Sequence, residues 1–142
     1  MTAVLLDTSV VLKWFHEEGE AEVDEARALL AAHESGRIAA YLLDLSLYEL
    51  GNVLVRSLRW CATDTADQLA DLLAICGDPL VPDLSWHTDA ASLATLHGLS
   101  YYDASFAAAA VAIGAPLVSA DKHLLAAGLA ESPAALVQRL RL

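Results

Sequence analysis

Cysteine, basic side chains and long apolar runs are all scarce in this chain, and each shortage excludes a class of protein. The two cysteines, Cys61 and Cys76, share no metal-ligand spacing and form no disulfide framework, so we expect a reducing, cytoplasmic environment. No apolar run approaches the ~18 residues that span a bilayer, which argues against a membrane protein. No basic segment precedes an apolar one near Met1, so we expect no signal peptide.

Positive charge is scarce as well. The chain has 8 lysines and arginines against 19 acidic residues, and its formal net charge is −11. Taken alone, this balance argues against a nucleic-acid partner, because phosphate binding usually uses a basic face. A bound divalent cation would invert the local field, and a basic protein partner would cover the acids. The charge therefore leaves three interpretations open: a metal site, a basic partner or simple solubility.

Apolar residues are plentiful. They make up 56% of the 142 residues and the mean hydropathy is +0.45, which predicts one domain over residues 1–142 with its own core. Short apolar runs predict buried strands at Val4–Leu6, Ile38–Leu43, Leu80–Val81, Leu117–Val118 and, last, near Leu136–Val137.

Helical patterns separate these runs. They cover residues 8–15, 21–35, 46–58, 63–74, 86–97, 103–113 and 122–127. Thr8 is the predicted cap of the first of these helices. Such alternation predicts an α/β fold, in which a central, mainly parallel sheet of about four to five strands lies between two layers of helices. In such a three-layer α/β/α sandwich, ligands bind where the carboxyl ends of the strands meet.

Four acids fall at that edge of the predicted sheet. Asp7 follows the first strand, and Asp121 follows Leu117–Val118. Glu49 lies in the first turn of one helix, and Asp103 begins another. Each has a structural explanation of its own: a cap for Asp7 or Asp121, a capping box with Ser46 for Glu49, or the helix dipole for Asp103.

Together these acids are harder to explain as caps, because crowded carboxylates repel one another and resist ionising unless a cation neutralises them. Oxygen ligands without histidine or cysteine favour Mg²⁺ or Mn²⁺. The five histidines show no ligand spacing, and we interpret them as surface or cap residues.

The segments around these acids together resemble a PIN-domain protein, and most closely a VapC-type toxin ribonuclease of the VapBC toxin–antitoxin systems. The segments are Asp7–Phe15, Tyr48–Leu54, His97–Ala104 and Leu117–Leu124. Any one of them is a weak signal, but all four occur in the family's order and approximate spacing.

The resemblance implies a PIN-like fold and a Mg²⁺- or Mn²⁺-dependent endoribonuclease, inhibited by a VapB-type antitoxin and expected to be a homodimer. Carried over to this chain, the catalytic and metal-binding acids are Asp7, Glu49, Asp103 and Asp121. The supporting residues are Ser9, Asn52 and Ser119, the last standing where many relatives have threonine.

The implied chemistry is hydrolysis by a metal-activated water, which needs no protein nucleophile. We assign Asp7 and Asp103 as principal ligands. Glu49 and Asp121 would then bind through water or orient the attacking water.

The basic residues that are candidates for contacting RNA are Lys13, Arg56, Arg59 and Lys122. For Arg56 and Arg59, solvated helix ends are a slightly better explanation than RNA contacts. Tyr101, Tyr102 and Trp14 are candidates for stacking on bases, although aromatic residues beside a sheet more often pack in the core.

Three other kinds of protein could place acids at this edge of a sheet. A catalytically weak PIN-like module would bind RNA or protein without cleaving it, but the presence of all four acids favours an enzyme. A receiver-type signalling domain needs an adjacent acidic pair after the first strand, where this chain has Thr8 and Ser9 after Asp7. A haloacid-dehalogenase-type phosphatase needs a second aspartate two positions after the first, and Ser9 occupies that position.

Overall fold

A parallel sheet lies at the centre of the protein. The structure is a computed structural model, and it describes residues 1–142. Strand β1 (Thr2–Leu6) runs between β2 (Ile38–Tyr41) and β3 (Leu117–Val118), in the order β2-β1-β3. The α/β fold with a central parallel sheet is therefore confirmed.

Eight helices cover the sheet. They are α1 (Thr8–Val11), α2 (Val23–Glu34), α3 (Asp44–Asn52), α4 (Ala62–Cys76), α5 (Leu84–His97), α6 (Tyr101–Ile113), α7 (Lys122–Ala126) and α8 (Pro133–Leu140). A 3₁₀ turn over Leu12–Trp14 extends α1, and a π-helical turn over Val53–Ser57 extends α3. None of these helices is long and apolar enough to cross a membrane.

Alternate residues of β1 supply two separate cores, because successive side chains of a strand point to opposite faces. Val4 and Leu6 pack on one face with residues from α2, α3, α4 and α8. Leu5 packs on the other face with Phe106 and the alanines of α6, and with Leu124 of α7. All three β1 residues are fully buried, as expected for a central parallel strand.

The sheet is narrower than the sequence predicts, because it has three strands and two isolated bridges rather than four to five strands. Leu80 forms a single parallel bridge with Leu43. Prolines at positions 79 and 82 flank Leu80–Val81, and since proline has no N–H to donate, a longer ladder cannot form there.

The last predicted strand, near Leu136–Val137, is wrong. Those residues lie in α8, where the Ser132 side chain accepts a hydrogen bond from the Ala135 N–H and Pro133 occupies the first turn. Serine followed by proline is a helix-start signal that outweighs the short apolar pair. The second isolated bridge is formed instead by Glu131, which pairs with Val118 beside β3.

The predicted capping box of Ser46 and Glu49 does not form. Helix α3 begins at Asp44, two residues earlier than predicted, and Leu43 occupies its cap position. Ser46 therefore lies inside the helix, where its buried hydroxyl has no hydrogen-bond partner. Glu49 is consequently free to make a contact elsewhere.

His33 is a structural residue rather than a surface or cap residue. Its Nδ1 accepts a hydrogen bond of 3.1 Å from the backbone N–H of Ala40 in β2. Its Nε2 lies 2.7 Å from the backbone oxygen of Ile75 in α4. The ring therefore joins α2, β2 and α4 through its two nitrogens.

We expect the His33→Ala substitution to lower the free energy of unfolding by about 1–3 kcal/mol, because it leaves an amide N–H and a carbonyl without a partner. Urea unfolding followed by circular dichroism measures this change. The exposed His97 at the end of α5 is the control, and His97→Ala should change stability by less than about 0.5 kcal/mol. Equal effects of the two substitutions would contradict the structural role of His33.

Candidate metal centre

Asp7 connects the end of β1 to the start of α1. Its Oδ1 accepts a hydrogen bond from the Thr8 N–H (2.8 Å), so Asp7, and not Thr8 as predicted, caps the helix. Its Oδ2 accepts from the hydroxyls of Ser9 and Ser119, each at 2.7 Å. Only 5% of Asp7 is exposed. Three donors therefore hold this carboxylate in one orientation.

The same two serines bind the loop after β3. Ser9 Oγ accepts from the Ala120 N–H at 3.0 Å, and Ser119 Oγ accepts from the Asp121 N–H at 2.9 Å. Each hydroxyl thus donates to Asp7 and accepts from the loop. Asp121 in turn caps α7 through its Oδ1. The first and fourth acids are therefore positioned by one hydrogen-bond network.

Thr8 makes an unpredicted link to the second acid. Its Oγ1 donates a hydrogen bond of 2.8 Å to Glu49 Oε1, although the two residues are 41 positions apart in the chain. No local sequence signal announces this contact, since a hydroxyl beside a strand end is equally typical of a cap.

Asp103 comes from α6, which begins at Tyr101 and not at Asp103 as predicted. Ser100 caps this helix by accepting the Asp103 N–H at 3.1 Å. The half-buried Asp103 side chain thus lies in the first turn, as an acid favourably placed against the helix dipole.

All four acids line one open cleft at the carboxyl ends of the strands, and we call it the carboxylate cleft. Its volume is about 410 Å³. The acids Asp7, Glu49, Asp103 and Asp121 share its wall with Thr8, Ser9, Leu12, Val53 and Ala120. Ser119 lies below it, behind Asp7, whereas the exposed Asn52 at the end of α3 is not part of its lining.

The carboxylates repel one another across the cleft. Burial raises the pKa of Asp7 and the Asp121 charge adds to the rise, while the hydrogen bonds that Asp7 accepts oppose it. Burial also raises the pKa of Glu49, with smaller contributions from Asp7 and Asp103. Burial raises the pKa of Asp103, and the charges of Asp121 and Asp7 raise it further.

No lysine or arginine relieves this repulsion, although the His123 charge lowers the pKa of Asp103. The ion pairs of the protein are Lys13–Glu20, Arg27–Glu17 and Arg139–Glu131, none of which includes a cleft acid. A cation from outside the chain is therefore the natural complement of the cleft.

The donor set fits a hard, hydrated divalent cation. No three of the acidic, histidine or cysteine side chains lie close enough together to hold one ion directly. Mg²⁺, however, keeps several of its waters and uses only one or two carboxylates. Asp7 suits such a ligand, because three of its roughly four lone-pair directions are occupied and one stays available.

The basic residues that we named as RNA contacts all lie outside the lining of the cleft. Lys13 is buried, and its Nζ pairs with Glu20 Oε1 at 2.9 Å. Arg56, Arg59 and Lys122 are exposed. Trp14 is a core residue, because its ring is buried and its Nε1 donates to the Ala26 oxygen.

Residues 4–128 match the PIN domain family. The chain is similar to the structure of PAE2754 from Pyrobaculum aerophilum, with 27% identity and a TM-score of 0.65 over 99% of this chain and 97% of that one. It shares its fold with FitAcB from Neisseria gonorrhoeae, at 22% identity and a TM-score of 0.65 over 92% of this chain and 97% of that one. It also shares its fold with the structure of FitAB bound to an IR36 DNA fragment, at 22% identity and a TM-score of 0.67 over 92% of this chain and 94% of that one. No curated protein matches the chain.

Charge repulsion in the cleft makes a testable prediction for the metal-free protein. Folding raises the pKa of Asp103 above its ordinary value of 3.8. The contribution of Asp103 to stability is therefore fully present below pH 3.8 and is lost as the pH rises through the raised pKa. Asp103→Asn should therefore raise the free energy of unfolding at neutral pH and leave it unchanged in acid. Unfolding in EDTA across this pH range measures the difference. The exposed Asp89 of α5 is the control, and a pH profile of Asp103→Asn like that of Asp89→Asn would contradict the repulsion.

Proposed function

The chain belongs to the PIN domain family, and on that premise we propose that it is a Mg²⁺- or Mn²⁺-dependent endoribonuclease, the toxin of a VapBC-type toxin–antitoxin pair. The observation that carries the proposal is the carboxylate cleft, in which four acids meet without a lysine or arginine to pair with them. Such a site has little use in a protein that never binds a cation, because each buried charge costs stability.

The residues of the cleft divide the work. Asp7, the most rigidly held acid, and Asp103, opposite it on α6, are proposed as the principal metal ligands. Glu49 and Asp121 would hold metal-bound waters or orient the attacking water. Ser9 and Ser119 would keep the Asp7 carboxylate in position, and Asn52 stays a proposed supporting residue.

A divalent cation bound here would activate water, polarise the phosphoryl oxygen and stabilise the leaving oxygen. The chain itself contributes orientation, because the Thr8 hydroxyl fixes Glu49 and the serine network fixes Asp7 and Asp121 relative to each other. Burial, with the charges of Asp7 and Asp103, also raises the pKa of Glu49, which favours its protonation relative to an exposed glutamate when the cation's charge is absent.

The proposed inhibitor is a VapB-type antitoxin, and we propose that the toxin is a homodimer. An antitoxin arginine inserted into the cleft would neutralise the acids, since guanidinium pairs carboxylates bidentately. The net charge of −11 favours a basic partner segment. One similar structure, FitAB, is bound to a DNA fragment, which supports a role for such assemblies beside nucleic acid.

A second candidate is a PIN-like module that binds RNA or protein with little cleavage. It is favoured by one observation, that no three cleft side chains are already close enough to hold an ion. The cleavage experiment below distinguishes this module from the enzyme.

The decisive experiment is RNA cleavage by the purified chain with Mg²⁺ or Mn²⁺. Asp7→Asn should lower the cleavage rate by more than 100-fold, and Ser119→Ala by about 10–100-fold, because Ser119 only orients the ligand. The control is Asp89→Asn, which should cleave at the wild-type rate. Gel analysis of labelled RNA measures the rates, and cleavage that persists at full rate in Asp7→Asn would refute the mechanism.

Metal binding can be tested without activity. Mg²⁺ or Mn²⁺ should raise the Tm of the wild-type protein, because the cation binds only the folded cleft. A cation concentration of 100 times Kd should raise the free energy of unfolding by about 2.7 kcal/mol. Asp103→Asn should reduce the shift and Asp89→Asn should not. An identical shift in all three proteins would place the metal elsewhere.

A further inference from the structure

A second hollow lies beside the carboxylate cleft, and three tyrosines are among the residues that line it. It has a volume of about 240 Å³. Among its lining residues are Tyr48, Pro82, His87, Tyr101, Tyr102 and Asp44. We call it the tyrosine hollow. It is smaller than the ~300–1,000 Å³ typical of sites for drug-sized ligands, so it suits a single ring rather than a whole nucleotide.

The tyrosine hollow adjoins the carboxylate cleft through two helices. Tyr48 directly precedes Glu49 on α3, and Tyr102 directly precedes Asp103 on α6. Each of these helices thus supplies an acid to the cleft and a ring to the hollow. A strand of nucleic acid with its phosphate in the cleft would place a neighbouring base at the hollow.

One wall of the hollow is already rigid. The Tyr101 hydroxyl lies 2.6 Å from His87 Nδ1, and the two rings are nearly parallel, with centroids 6.0 Å apart and planes inclined by 4°. Ser105 donates a hydrogen bond of 2.7 Å to the Tyr101 backbone oxygen. This wall therefore needs no rearrangement to receive a ligand.

The other two rings are open to solvent. Tyr48 is 77% exposed and Tyr102 is 61% exposed, which is unusual for such large side chains. Neither hydroxyl takes part in a hydrogen bond within the protein. Flat, exposed rings next to a fixed one form a surface on which another planar group can stack.

The charge of the chain explains why such a surface is needed. Proteins usually gain most of their affinity for nucleic acid from lysine and arginine contacts with phosphates. Here no lysine or arginine lines the cleft or the hollow, and Lys13 is already paired with Glu20. Base stacking does not depend on net charge, because every base has a π-face.

We propose that the tyrosine hollow binds one unstacked base of single-stranded RNA, next to the phosphate that is hydrolysed in the cleft. The proposal rests on the nuclease function proposed above and names the part of the substrate that this face recognises. Tyr48 and Tyr102 supply the stacking, and Tyr101 with His87 forms the fixed wall.

Asp44 adds a base preference. Its Oδ1 accepts the Leu45 N–H at 2.8 Å, and its second oxygen has no donor within the protein. A carboxylate accepts a hydrogen bond from the amino group of cytosine, whereas the carbonyl at the same position of uracil repels it. The hollow therefore favours cytosine over uracil.

The test measures binding in the Asp7→Asn protein, which carries one negative charge fewer and is expected not to cleave. Fluorescein-labelled single strands of ten cytidines or ten uridines are the probes, followed by fluorescence anisotropy with Mg²⁺. Adding Tyr102→Leu or Tyr48→Leu should weaken binding of the cytidine strand about 5- to 100-fold. Tyr102→Phe should retain it.

The control is Leu96→Ala, which removes an equally exposed apolar side chain of α5 outside the hollow and should leave affinity unchanged. Asp44→Asn keeps the acceptor for Leu45 and should equalise the affinities for the two strands. Replacing one cytidine by an abasic nucleotide should weaken binding in the parent protein but not in Tyr102→Leu.

Tyrosine variants that bind RNA like their parent would overturn the proposal, while the loss of cleavage in Asp7→Asn would still uphold the nuclease. Base-dependent binding through these tyrosines, in a chain that cleaves no RNA, would uphold the hollow and refute the nuclease. If the substitutions spare RNA binding and weaken the complex with the antitoxin encoded beside this chain, the hollow is a protein-binding site and the proposal is wrong.

Discussion

The carboxylate of Asp7 is the point on which the arrangement of the site depends. It accepts hydrogen bonds from Thr8, Ser9 and Ser119, and the two serines pass the constraint on to the backbone after β3. Residues far apart in the chain are thereby fixed to within a hydrogen-bond length. Any ligand that the cleft binds meets an acid whose orientation has been set before binding, which lowers the entropy lost on association.

This constraint has an electrostatic cost. Burial and mutual repulsion raise the pKa values of Asp7, Glu49 and Asp103, and no lysine or arginine compensates. The protein thus stores unfavourable energy in the cleft, as is common at functional sites. The acidic composition of the chain, taken alone, argues against a nucleic-acid partner. That objection no longer holds if a metal neutralises the cleft and aromatic rings make the contact with RNA.

Much of the fold could be predicted, because parallel strands and helices leave strong periodic signals. The position of the four acids at one sheet edge followed from their places at strand ends and in first turns of helices, and the structure places them in one cleft. Their catalytic and metal-binding roles stay predictions.

Details that depend on contacts between residues distant in the chain could not be predicted from the sequence. Thr8 was predicted as a cap because its contact with Glu49 crosses 41 residues, and His33 lacked any local sign that Ala40 and Ile75 would surround it. Ser46 and Glu49 matched a capping box, yet α3 began two residues earlier and removed its geometry.

The contact of His33 with Ala40 bears on how the protein avoids self-association through its strands. A strand at the border of a sheet exposes N–H groups that can pair with another chain, and natural proteins protect such borders. Along β2, the His33 imidazole accepts the hydrogen bond from the Ala40 N–H that an incoming strand would otherwise use. Just beyond the end of β2, Leu80 forms its bridge with Leu43. On the opposite border, Glu131 bridges to Val118 and its side chain is held by Arg139. Both borders of the three-stranded sheet therefore have backbone groups already engaged, by the His33 side chain at β2 and by backbone bridges at Leu80 and Glu131, and these groups are not available to an added strand.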